Sequence, residues 1–133
     1  MPTKKQIRDY VAKLTLFHDV LFRKAAEDNK FCEEILRVML EDNALKVISN
    51  VPQKDMTNLH GRSAILDLLC ELNNGKIVNV EVQRTGEENI DHFCRVRYYS
   101  SIISTNITDP GTDYSEIPEL IIIYITKNDI FKK

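Results

Sequence analysis

The feature that most restricts this chain is a hairpin signal with an odd-length turn. On one side of Asn73-Asn74-Gly75, Leu66, Leu68, Cys70 and Leu72 alternate with Asp67 and Glu71. On the other side, Val78, Val80 and Val82 alternate with Asn79, Glu81 and Gln83. Side chains of a strand point alternately to its two faces, so turn length decides which residues share a face. A two-residue loop at Asn74-Gly75 would oppose Asp67 to Val82 and mix apolar with polar on both faces. A three-residue loop, Asn73 to Gly75, opposes Leu72 to Lys76, Leu68 to Val80, Leu66 to Val82 and Asp67 to Glu81. Burial selects the second register, because a one-residue slip turns every side chain to the wrong face. A type I turn closed by a left-handed glycine at Gly75 suits it.

That register sets two carboxylates against each other. Opposed like charges destabilise a sheet. A divalent cation would relieve the repulsion, and two carboxylates are ligands suited to Mg²⁺. The plainer alternative is a polar face on which Asp67 and Glu81 are hydrated or paired with Arg or Lys.

Around the hairpin, periodicity predicts an α/β domain. Residues 2–14 carry Lys4, Lys5, Arg8 and Lys13 and read as a basic leader or short exposed helix. A helical region is expected over 16–41, clearest where Cys32, Ile35, Leu36, Met39 and Leu40 form one apolar stripe. Val47, Ile48 and Val51 mark a first strand stopped by Pro52, and 53–61 reads as a polar loop. Strands follow over 63–72 and 76–84, then a linker over 85–89 and a helix over 90–105. The last strand, 120–126, is apolar on both faces and is expected to lie centrally with cover on both sides. The order is helix, three strands, helix, strand, in a layered α/β structure.

The 133 residues suit one domain, and an apolar fraction of 43% is enough for a core without a metal or disulfide staple. A net charge of −2 is not that of a protein that coats nucleic acid, so any such contact is local. Cys32, Cys70 and Cys94 form no CxxC pair and fit reduced thiols in a cytoplasmic protein, with Cys70 on the apolar face. The first 14 residues do not read as a signal peptide, and the run from Leu120 to Ile125 is too short to span a bilayer. His18, His60 and His92 are scattered, so zinc is not expected. Glycine-rich phosphate loops are absent, and with them the case for a nucleotide cofactor. Phe17, Phe22 and Phe31 read as core.

The residues also carry a family likeness. Asp67 is followed after thirteen residues by Glu81-Val82-Gln83. Around these lie Asp19-Val20-Leu21-Phe22, Gly61-Arg62-Ser63-Ala64-Ile65-Leu66-Asp67, Val80-Glu81-Val82-Gln83-Arg84, Arg95-Val96-Arg97-Tyr98-Tyr99-Ser100 and Gly111-Thr112-Asp113-Tyr114. This ordered set, from about 19 to 131, resembles the PD-(D/E)XK nuclease superfamily and, more narrowly, is similar to the PD-(D/E)XK nuclease family transposases. The resemblance implies a restriction-endonuclease-like core with a mixed central sheet flanked by helices. It implies a Mg²⁺-dependent nuclease, Mn²⁺ substituting, that cuts phosphodiester bonds, with DNA the expected polymer and a transposase-like or recombination-promoting role. Asp67, Glu81 and the backbone carbonyl of Val82 would hold the metal, and Asp19 is a further candidate through a metal-bound water. Arg97, matched to the family motif, is the favoured phosphate contact, with Tyr98, Arg84 and Arg95 beside it; for Arg95 alone, packing against an acidic side chain is the plainer expectation.

The chain departs from the superfamily pattern at two places. Leu66 stands where a proline precedes the aspartate, and Gln83 stands where a lysine is usual. Gln83 can hydrogen-bond a water but supplies no positive charge. Gln83 and the acidic net charge therefore leave open an interaction module that keeps the fold without catalysis. The resemblance also implies a C-terminal continuation beyond 133, and a bacterial setting is the expectation. Homo-oligomerisation stays open, and no membrane partner is expected.

Overall fold

The structure, a computed structural model, describes residues 2–12, 19–83, 91–126 and 131. A first helix, α1, spans Lys4–Ala12. Thr3 and Gln6 cap it reciprocally: Gln6 N donates to Thr3 Oγ1 (3.2 Å) and Thr3 N donates to Gln6 Oε1 (2.8 Å). The helical region expected over 16–41 is two helices among the described residues, α2 (Asp19–Ala25) and α3 (Asn29–Met39). The break is made by Asp28, whose side chain accepts from Lys30 N as the cap of α3. A short polar side chain that satisfies helix-start N–H groups outweighs the continuous apolar stripe.

Four strands form one mixed sheet in the order β1-β2-β3-β4: β1 (Val47–Met56), β2 (Ala64–Leu72), β3 (Ile77–Gln83) and β4 (Leu120–Thr126). The first two pairings are antiparallel and the third is parallel, reached through α4 (His92–Ile107). The turn is the three-residue one. Leu72 N donates to Lys76 O (2.9 Å), Gly75 N donates to Leu72 O (3.0 Å), and Gly75 has φ 85°. The β2–β3 ladder runs from Glu71↔Ile77 to Leu68↔Val80, which is the register the hydrophobic pattern selects.

Two sequence expectations about strands are corrected. Pro52 does not stop β1, which continues to Met56 with Pro52 opposite Leu68. The strand is at the end of the sheet, where a residue with no N–H to donate is tolerated. β4 is not central. It forms the other end of the sheet, and its seven residues are all half-buried. The reason is topological: β2 already occupies one side of β3, so the strand returning from α4 takes the remaining side.

Two apolar clusters sandwich the sheet. Phe22 of α2, Ala26 of the turn after it, and Cys32 and Leu36 of α3 pack on Leu68, Cys70, Leu72, Val78, Val80 and Val82. On the other face Ile102 and Ile103 of α4 pack with Met56, Ala64 and Leu66. Leu66 was expected in the first layer, beside Leu68, and is corrected to the second. The switch happens at Asp67. Between Pro52↔Leu68 and Lys54↔Leu66 the β1–β2 ladder skips Gln53 and Asp67, and Gln53 has φ 52°. No helix among the described residues is long and apolar enough to cross a membrane.

Candidate active site

Asp67 sits where the backbone ladders on both sides of β2 give out, and side chains replace them. Asp67 N donates to Glu81 Oε1 (2.9 Å), and Val82 N donates to Asp67 Oδ2 (2.8 Å). Each carboxylate thus bonds the main chain at or beside the other, which draws both into one place. Asn79, two residues before Glu81 and on the same face, donates Nδ2 to Glu81 Oε1 (3.0 Å) and to Leu68 O (3.0 Å). Asp67 and Glu81 are therefore brought together, and the alternative of an open, hydrated face does not describe Glu81, which is 3% exposed, or Asn79, at 0%. α4 covers what a hairpin alone would leave open.

Burial has electrostatic consequences. Removing the Glu81 carboxylate from water, and placing it beside Asp67, pushes its pKa up to about 7, although hydrogen bonds from Asn79 and the Asp67 N–H and the charge of Arg95 work the other way. Glu81 is therefore poised between its two protonation states near neutrality. Asn79 Oδ1, buried beside it, is a side-chain oxygen with no hydrogen-bond partner among the described residues. Such an atom costs about 1–3 kcal/mol.

The face is completed by α4 and β4. Arg95 Nη1 donates to Gln83 Oε1 (3.1 Å), and Arg95 Nη2 donates to the Tyr99 hydroxyl (3.1 Å), with the guanidinium carbon 5.3 Å from the Tyr99 ring centroid. Tyr124, opposite Glu81 in the parallel β3–β4 register, donates its hydroxyl to Gln83 Oε1 (3.5 Å) and meets His92 Nδ1 at 2.7 Å. Gln83 thus spends its amide oxygen on Arg95 and Tyr124.

Arg97 and Tyr98 lie away from the carboxylates. Arg97 is exposed, with Nη2 3.9 Å from Cys94 Sγ. The Tyr98 hydroxyl donates to Arg62 O and accepts from Asn58 Nδ2 (3.2 Å). A Cβ at Gly61 would meet Asn58 Nδ2 at 2.9 Å, so that side chain would have to shift to admit one. Arg84 lies outside the described residues. Asp19 opens α2, and its side chain lies outside what is described. Sequence reading missed Tyr124, His92 and the link from Tyr99 to Arg95. The helical spacing of Arg95, Tyr99, Ile102 and Ile103 would have placed the arginine on the sheet-facing stripe.

The donor set suits a hard cation. Asp67 and Glu81 offer carboxylate oxygens, and the Val82 carbonyl is the adjoining main-chain oxygen. Mg²⁺ is held by one or two carboxylates and keeps waters. Among the described residues no three His, Cys, Asp or Glu side chains gather into a fuller cage, so two carboxylates plus water is the set to consider.

A mixed four-stranded sheet flanked by helices, with an acidic pair on its second and third strands, has the architecture of the PD-(D/E)XK nucleases. Residues 16–133 match the PD-(D/E)XK nuclease family transposases, and the chain belongs to that family. No curated protein and no solved structure matches it. Membership implies a nuclease with a nucleic-acid substrate, in a class that usually employs divalent metals.

Proposed function

We propose that this protein is a Mg²⁺-dependent DNA endonuclease, with Mn²⁺ able to substitute, in a transposase-like or recombination-promoting role. The observation that carries the reading is the crossed Asp67–Glu81 pair, in which a buried carboxylate is held against another with a pKa raised to about 7. Two such groups repel each other and make a good seat for a cation. Asp67, Glu81 and the Val82 carbonyl would hold the metal. What the metal supplies when bound is polarisation of a phosphoryl oxygen and a water of lowered pKa.

The chain's own residues do the rest. Asn79 and the Asp67 N–H orient Glu81, and Val82 N orients Asp67. Arg62, Arg97 and Tyr98 line a groove whose wall also includes Arg95, and it can receive the sugar-phosphate backbone. The test is nicking of supercoiled plasmid with Mg²⁺ or Mn²⁺, run beside RNA of matched sequence. Asp67→Ala and Glu81→Ala are each expected to lose activity on the order of 1,000-fold. Nicking that survives both changes ends the reading. Retention of DNA without cleavage would instead make the protein a nucleic-acid-binding module on a nuclease scaffold.

A further inference from the structure

Phosphodiester hydrolysis accumulates negative charge on the phosphoryl oxygens, and Gln83 carries no charge to meet it. The cation that the described residues bring to this place is Arg95. Its Nη1 is 3.1 Å from Gln83 Oε1 and its Nη2 is 3.1 Å from the Tyr99 hydroxyl. An arginine has five N–H donors, and these two contacts leave three for another acceptor. Arg95 also lines the groove of about 940 Å³ that runs past Arg62, Arg97 and Tyr98. It therefore joins the groove to Gln83, two residues along β3 from Glu81.

Resting on the nuclease reading, we infer that Arg95 is the catalytic residue that binds the scissile phosphoryl group, and that Gln83 and Tyr99 are positioning residues that hold its guanidinium. In the reaction a water oxygen forms a bond to phosphorus as the bond to the leaving sugar oxygen breaks. The water's proton passes to solvent, and the leaving oxygen takes a proton up as a hydroxyl. Arg95 holds the two non-bridging oxygens through this change, using the planar fork that suits phosphate. The amide at 83 follows from the same geometry. A lysine there would set an ammonium against the guanidinium, whereas an amide oxygen accepts its hydrogen bond.

A charge-relocation cycle in the intact protein tests this. Arg95→Gln is expected to lower kcat about 100-fold with little change in KM. Gln83→Lys alone is also expected to be impaired, through like charges in contact. The double change, Arg95→Gln with Gln83→Lys, is expected to recover to within about tenfold of wild type, because one positive charge is restored. Mn²⁺ binding, followed by electron paramagnetic resonance, should stay equal or tighten in Arg95→Gln, since a cation beside Glu81 is removed. Should Arg95→Gln fail to fold, Gln83→Lys decides by itself, because unimpaired cleavage there overturns the inference. Absence of rescue in a folded double variant, or Mn²⁺ affinity that falls about tenfold in Arg95→Gln, also overturns it, the latter by reducing Arg95 to a prop for the carboxylates. An inert wild type removes the nuclease reading and the inference together, whereas an active wild type matched by Arg95→Gln removes the inference alone.

Discussion

The two faces of β3 are equally dry and opposite in character. On the α3 side Val78, Val80 and Val82 meet Leu36, Cys32 and Leu68 and Leu72 of β2. On the α4 side Asn79 and Glu81 are just as buried, yet they are bound to main-chain groups, to each other and to the surroundings of Arg95. Apolar burial stabilises roughly in proportion to area, at about 25 cal/mol per Å². Polar burial stabilises only where every group is answered, and among the described residues the Asn79 oxygen has no partner. The first face makes the sheet, and the second draws on that stability to hold groups in states they would not choose in water.

The largest expected effect comes from moving a charge to the wrong face. Val80→Glu keeps the same strand and depth but finds only carbon around it, and about 4 kcal/mol or more of stability should be lost in denaturant unfolding. A mild loss would mean that the α3-side layer is looser than its contacts indicate.

Next is removal of charge from the strained face. A folded pKa near 7 against 4.5 for the free side chain means that folding favours the protonated form of Glu81. With divalent cations chelated, its contribution is intact below pH 4.5 and is lost as pH climbs to about 7, by up to about 3 kcal/mol. Glu81→Gln should therefore be the more stable protein at pH 8, and the gap should close by pH 4.5. Equal pH profiles for the two proteins would show that Glu81 is not under electrostatic strain.

The smallest effect is expected at Tyr99→Phe. Its ring stays in the α4-side cluster, so stability should change by no more than about 1 kcal/mol. The hydroxyl that steadies Arg95 is gone, and kcat should fall about tenfold. A fall as deep as that of Arg95→Gln would make Tyr99 more than a support.

What could be read from the sequence followed from local rules. The parity of Asn73-Asn74-Gly75 put Asp67 and Glu81 on one face, because period-two alternation and turn length need no knowledge of the rest of the molecule. Edges needed that knowledge. Pro52 reads as a stop until the strand is known to be terminal, and an apolar run such as Leu120–Thr126 reads as central until β2 is seen to occupy the other side of β3. The layer of Leu66 was not legible either, because it lies beside a gap in the β1–β2 ladder at Gln53 and Asp67 that no glycine announces. Arg95 and Arg97 are two apart on one helix, and the family likeness favoured the exposed one. The helical spacing of Arg95 with Tyr99 and Ile102, which the sequence reading did not use, would have been the better guide to which arginine meets the sheet.

The seam between β2 and β3 has one further consequence. At Asp67 the stitch that holds the two strands is not peptide to peptide but peptide to carboxylate. The oxygen that fastens the scaffold is thus one that an incoming ion would compete for. On the proposed reading an ion there would share the Glu81 carboxylate with the seam, so loading the site and the join between the two strands would be linked.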